Sequence, residues 1–432
     1  MVSAMLTGVL FLAACSRGGP AAEDPVPPSC GNGAVDSGEA CDGVWAGCTD
    51  LGASWGDGDA ACEADCDGWD VSACSLAEPT LAEMVKPALR ASNRYPDARC
   101  NDGTPSGFEV RLSENDSPLW VIWLGPGALC EDNAFPCRDR PPELITTPNR
   151  RDATLNALGM SGLFGANPAL NPVFLDANFV FAHYCSSDLW TGHTTERRPT
   201  TGDPESGWYF SGHAQVDAMM GMLVERYGLD DEDPDLRVLF GGSSAGAQGV
   251  SSNIENVIAV LPNVLADGRL RVLVDAGWIT DWDVPGHRMG LAVEPDRDVF
   301  AHARLFWGAH ADPLCEATAD EPGECYFGPS WYPWLATERD VRVLVQESLN
   351  DSTMNDLHHI DVADAEARAL WQAEVEASLS EVDRLFASEA SYHTLALTDD
   401  GFSFGTTGDT FGDVVRRFAS GGEAERVFFV GE

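Results

Sequence analysis

The chain has 432 residues, 44% of them hydrophobic, and sets 69 Asp and Glu against 26 Lys and Arg for a formal net charge of -43. That length allows one large domain and a small one, with enough apolar sequence for an ordinary buried core. So acidic a surface repels phosphate backbones and anionic headgroups, which excludes nucleic acid as a partner and selects no other.

The N-terminus runs from Met1 through Leu10, Phe11 and Leu12 and closes on Ala13, Ala14 and Cys15. A short apolar stretch ended by small residues is an export signal, too short to span a bilayer. Leu12-Ala13-Ala14-Cys15 resembles a bacterial lipobox, so residues 1–15 are read as a signal peptide and Cys15 as a lipidation site, although no Lys or Arg precedes the apolar run. The expected location is therefore exported, as a surface lipoprotein tethered to a membrane or as a secreted protein. Residues 16–29, with Gly18-Gly19-Pro20 and Pro25-Val26-Pro27-Pro28, read as a linker.

Cys30, Cys41, Cys48, Cys62, Cys66 and Cys74 crowd residues 30–75, a segment of Gly and Asp with few aliphatic side chains. So small a segment needs disulfides to hold a fold, and its six cysteines allow about 15 pairings among which sequence does not choose. Its opening, from Cys30 to Asp42, resembles a cysteine-rich repeat of exported bacterial proteins. No metal is expected there, because the segment has no histidine, oxidised cysteines are poor zinc ligands and the Asp spacing gives no calcium set. Cys100, Cys130, Cys137, Cys185, Cys315 and Cys325 form a second even group, which leaves Cys15 unpaired.

Residues 76–432 alternate short apolar runs with amphipathic stretches. Leu119–Leu124, Phe179–His183, Leu236–Phe240, Leu270–Val274 and Val341–Val345 read as buried strands. His213–Tyr227, Ala247–Ile258 and Ala363–Phe386 carry helical spacing. The alternation predicts a three-layer α/β sandwich with a mostly parallel sheet.

Strand Leu236–Phe240 runs into Gly241-Gly242-Ser243-Ser244-Ala245-Gly246 and then a helix, which is G-x-S-x-G in the strand–turn–helix setting that presents a nucleophile. The glycines allow the tight turn, and the helix N-terminus offers N–H groups where an oxyanion forms. A serine needs a base, and the base an orienting carboxylate; in this fold the acid comes before the histidine along the chain. Asp351 follows strand Val341–Val345, with Glu347 and Asp356 as competing acids. Of the histidines after it, His358 and His359 suit a helix cap or surface role, and His393, in a loop after the long helix, is the better base.

With these residues placed, the chain from about residue 93 onward resembles the pectin acetylesterase/Notum family of α/β-hydrolases. The resemblance is carried by Cys100–Phe108, by Asn178–Trp190, by Gly242-Ser243-Ser244-Ala245-Gly246 and by Asp275-Ala276-Gly277-Trp278. It implies hydrolysis of a carboxylic ester, on an acetylated polysaccharide or an acylated small molecule or protein, without metal or organic cofactor. It also implies a triad of Ser244, Asp351 and His393, with oxyanion donors on the backbone of Gly127, Ala128 and Ala245. The family pattern further implies disulfides Cys130–Cys137, Cys315–Cys325 and Cys100–Cys185. Where relatives carry Gly-Gly-Trp, this chain reads Gly125-Pro126-Gly127-Ala128, which removes an aromatic wall beside the nucleophile. The competing expectation is a non-catalytic surface binding protein on the same scaffold.

Overall fold

The computed structural model describes residues 95–147, 161–165, 171–281 and 296–429, interrupted at 114, 322, 359, 407–408 and 423–425, together with scattered residues between 35 and 83. Cys15, the linker, Cys30 and His359 lie outside the described residues. The chain falls into two compact units, residues 1–46 with 60–70, and residues 47–59 with 71–432. In the first, residues 61–62 pair antiparallel with 69–70, and Cys41 is bonded to Cys62. In the second, Cys48 is bonded to Cys74.

The second unit is built on a nine-stranded sheet. Its strands are β1 (Thr80–Glu83), β2 (Gly107–Arg111), β3 (Leu119–Leu124), β4 (Asn178–Ala182), β5 (Arg237–Ser243), β6 (Leu270–Asp275), β7 (Arg342–Ser348), β8 (Leu385–Ser388) and β9 (Val427–Phe429). Across the sheet they lie in the order β1-β2-β4-β3-β5-β6-β7-β8-β9. The β1–β2 and β2–β4 pairs are antiparallel and all the others parallel.

Side-chain alternation along these strands makes the layers. Trp120, Ile122 and Leu124 of β3, Val238 and Phe240 of β5 and Val343 and Val345 of β7 join one apolar cluster. Leu119, Val121 and Trp123, with Leu239 and Leu344, join a second cluster on the opposite face. Because successive side chains point to opposite faces, a run apolar at every position is buried on both sides. Helices α1 (Gly212–Tyr227) and α2 (Ala245–Val260) cover the first face through Val216, Met219, Leu223, Val250, Ile254 and Val257. Phe411, Val414, Val415 and Phe418, from a helix over Phe411–Ala419, cover the second. The result is a three-layer α/β-hydrolase sandwich.

The five strands and the two shorter helices read from the sequence are present within a few residues of their expected ends. The long helix expected over Ala363–Phe386 is not: it runs from Ala365 to Ser378, and Leu385–Ser388 is strand β8. Leu379, Val382, Leu385 and Phe386 keep apolar spacing compatible with a helix, but parallel pairing of Val345 with Leu385 and Gln346 with Phe386 wins. Strand β8 is what delivers His393 to the same sheet edge as the other candidate residues.

Three further disulfides brace this unit, Cys100–Cys185, Cys130–Cys137 and Cys315–Cys325, with sequence separations of 85, 7 and 10. In the chain-entropy account the longest loop contributes most. Replacing Cys100 and Cys185 together by Ala should lower unfolding free energy by about 4 kcal/mol, and the Cys130/Cys137 double variant by about 2 kcal/mol. Urea denaturation of the two variants checks that ranking.

Candidate active site

Strand β5 ends at Ser243, and the next residue, Ser244, has φ 55° and ψ -119°, a conformation forced on a residue with a Cβ. Sharp reversal here lets α2 begin at once at Ala245. The flanking glycines are needed for contact rather than flexibility alone. A Cβ on Gly242 would meet the backbone of Gly246, and one on Gly246 would meet the Leu124 carbonyl. Ser244 N–H donates to the Asp275 carbonyl at 2.9 Å, which ties the turn to β6.

Asp351 follows β7 and caps a short helix, α3 (Ser352–Leu357). Its Oδ1 accepts from the N–H groups of Thr353 and Met354 at 2.8 and 3.0 Å, which fixes the carboxylate and leaves Oδ2 for His393 Nδ1 at 2.7 Å. Asp351 is fully buried and the His393 side chain 21% exposed. Among the described residues, Ser244 included, His393 Nε2 has no hydrogen-bond partner. His393 and Ser244 nevertheless line one cavity.

The competing residues have other employment. Glu347 is buried on β7 and accepts from the Trp278 and Ser348 N–H groups at 3.0 and 3.3 Å. Burial, and then the Asp351 charge beside it, hold its carboxyl well above the usual carboxylate range. Asp356 is exposed at the cavity. His358 is buried against Trp371 with ring centroids 4.6 Å apart.

Gly127, Ala128 and Ala245 lie at the carboxyl end of β3 and the start of α2, and none of their N–H groups donates to another group among the described residues. Ala128 has φ 56°, again strained for a residue with a side chain. Arg140 holds this loop: its Nη1 donates to the Gly127 carbonyl at 2.5 Å and its Nε to Ser187 Oγ at 2.9 Å. Carbonyl and N–H of a trans peptide point in opposite directions, so holding the Gly127 carbonyl aims the Ala128 N–H the other way. Nothing in the local sequence marks Arg140, whose role depends on a loop folding back over it.

The cavity beside Ser244 measures about 230 Å³, and Ala128, Leu129, Leu189, Ile279, Met354 and Leu357 make it largely apolar. Among the described residues, Asp356 is the lone carboxylate in its lining, and no Lys or Arg lines it. Leu189 belongs to a strained segment in which Ser187, Leu189 and Trp190 have φ of 56°, 55° and 64°. Buried Asp188 knits it together, accepting from Ser186 Oγ at 2.6 Å, Trp190 N–H at 3.0 Å and Gly212 N–H at 2.8 Å. Among the described residues no group of three His, Cys, Asp or Glu side chains could hold a metal ion.

This sheet order, with loops converging at the carboxyl ends of its parallel strands, is that of the α/β-hydrolase fold. The family model described as Pectinacetylesterase matches residues 80–364, and the chain belongs to that family. It is similar to the palmitoleoyl-protein carboxylesterase NOTUM of Drosophila melanogaster, 31% identical over 256 residues, which cover 57% of this chain and 36% of that protein. The human palmitoleoyl-protein carboxylesterase NOTUM is 28% identical over 284 residues, which cover 64% of this chain and 55% of its own length. The matches thus span between a third and just over half of these two curated relatives. The solved structure of the Wnt deacylase Notum from Drosophila superposes with a TM-score of 0.66 at 24% identity, covering 82% of this chain and 97% of that one, a likeness of fold.

Burial pushes the Asp188 carboxyl up to about 6, against an ordinary value of 3.8. Between these values the folded chain binds a proton that the unfolded chain releases, so this group's contribution to stability falls as pH rises from about 4 to about 6 and stays low above. Asp188→Asn removes the titration, and should gain on the order of 2 kcal/mol relative to wild type between pH 4 and pH 7. Urea unfolding at both pH values tests it, and an unchanged gap would be the contrary result.

Proposed function

We propose that the chain is a serine carboxylester hydrolase in which Ser244 is the nucleophile, His393 the general base and Asp351 the residue that orients the base. The observation that carries the reading is the 2.7 Å bond from His393 Nδ1 to Asp351, with Ser244 and the same imidazole facing one apolar cavity. With Asp351 on Nδ1, the free Nε2 is the nitrogen that takes the serine proton. Such hydrogen bonds are often open without substrate and tighten in the complex.

In the proposed reaction Ser244 Oγ bonds to the acyl carbon while its proton passes to His393 Nε2. The carbonyl electron pair moves onto oxygen, which the N–H groups of Gly127, Ala128 and Ala245 receive. Collapse of the intermediate breaks the bond to the alcohol, which leaves with the proton from His393. A water then attacks the acyl-enzyme, giving a proton to His393, and the carboxylic acid departs as Ser244 regains its hydrogen.

Apolar cavity walls favour an acyl chain of several carbons over acetyl. The net charge of -43 and the Asp356 carboxylate at the cavity disfavour a polyanionic alcohol such as a uronic-acid polymer. Five disulfides among the described residues suit an oxidising compartment. Export through residues 1–15, and acylation of Cys15 where a membrane tether is wanted, complete the proposal.

On p-nitrophenyl esters, kcat/KM should rise about fourfold for each methylene added beyond acetyl until the cavity is full. Ser244→Ala should reduce turnover by about a thousandfold or more, and a fluorophosphonate probe should label wild type at Ser244 and spare the variant. Undiminished hydrolysis by the variant, or a wild type that the probe never labels, would overturn the assignment; the latter favours a binding protein on this scaffold.

A further inference from the structure

Proton transfer between Ser244 and His393 requires two segments distant in sequence to keep one separation, and neither residue lies within a strand. Ser244 is one step beyond β5, and His393 lies in the loop after β8. Asp351 reaches His393 but, among the described residues, no group on the Ser244 turn.

Asp275 touches both. It is the last residue of β6, fully buried, and pairs in register with Ser243 across β5. Its main-chain carbonyl accepts the Ser244 N–H at 2.9 Å, and its Oδ2 accepts the Ser243 hydroxyl at 2.5 Å. The same carboxylate accepts the Leu395 N–H on Oδ1 at 3.0 Å and the Ala396 N–H on Oδ2 at 3.2 Å. Four bonds from one residue thus join the turn that carries Ser244 to the loop that carries His393.

Resting on the esterase reading above, we propose that Asp275 is a positioning residue of the reaction, a brace whose carboxylate sets the spacing of Ser244 and His393. It touches no substrate atom and acts through the two backbones it ties. A main-chain carbonyl in its place would offer a single oxygen, whereas the carboxylate's two acceptors serve the hydroxyl and both N–H groups at once. Near-attack geometry is steep in distance, and a shift of about 1 Å costs on the order of a hundredfold in rate. The titratable groups that face the carboxylate are His393 on the loop and Glu347 on β7.

Asp275→Asn keeps the size but puts an amide NH2 in place of one acceptor oxygen. On an ester that wild type hydrolyses, kcat should fall about 10- to 100-fold with KM within about twofold, and fluorophosphonate labelling of Ser244 should slow by the same factor. Burial pushes the Asp275 carboxyl up to about 6, so the acid limb of wild-type kcat should be steeper than one proton, and that of Asp275→Asn a single-proton limb. Ser243→Ala cuts only the side-chain tie to the turn and should lower kcat about three- to tenfold; it decides the matter if the Asn variant does not fold. Asp312→Asn, which weakens a half-buried pair with Arg339, serves as the stability control and should lower Tm while kcat holds. Loss of Tm alone in both brace variants, with kcat, labelling rate and acid limb as in wild type, overturns the proposal. A wild type that is neither hydrolytic nor labelled overturns the esterase reading, and this one with it.

Discussion

Every group at the candidate site depends on the parallel pairing of β3, β5, β6, β7 and β8, which brings five carboxyl ends to one edge. The register is explicit: Leu124 sits beside Gly242, Ser243 beside Asp275, Asp275 beside Gln346, and Ser348 beside Ser388. Each strand then releases its loop at the same level, so Gly127, Ser244, Asp351 and His393 need only short excursions to approach one cavity. Strands in parallel pairs also require crossover helices on the faces, which buries both sides and keeps the frame rigid.

On that frame, buried carboxylates do the local specification. Asp188, Asp275, Asp351 and Glu131 are each 0% exposed. Glu131 accepts from Asn133, Ala134 and Phe135 N–H groups and so shapes the loop between Cys130 and Cys137. In each case the side chain supplies acceptors to backbone N–H groups that an irregular loop, or the first turn of a helix, cannot pair with itself. Burying such a group is costly, and for Asp188 and Asp275 desolvation is the leading cause of a raised pKa. The fold accepts that cost where loops carry strained residues, at 187–190 and around Ser244.

Charge and cavity work at different ranges. The net charge of -43 acts over the whole surface and is weakened by salt, while the apolar lining beside Ser244 acts by contact. Ala128 stands where the family resemblance places a tryptophan, so the wall beside the nucleophile is methyl-sized and Leu129, Leu189 and Met354 define the space instead.

Five of the nine strands of the sheet were legible because a strand buried on both faces needs an unbroken apolar run, and β3 shows one in Leu-Trp-Val-Ile-Trp-Leu. The serine turn was legible too, since its glycines answer a steric demand that holds wherever a strand reverses into a helix at a residue with positive φ. Strand β8 was not, because Leu385 and Phe386 fit helical and extended spacing alike, and only a free edge on β7 decides between them. Nor were the roles of Arg140 and Asp275: a lone Arg in a loop and an Asp at a strand end bear no local mark of what they hold. The sequence by itself determined layers, periodicity and the shape of one turn, all of which depend on neighbours a few residues away. Only the tertiary structure decided which carboxylate meets which distant N–H: the bonds from Asp275 to Leu395 and Ala396 span 120 and 121 positions and exist only once the sheet has assembled.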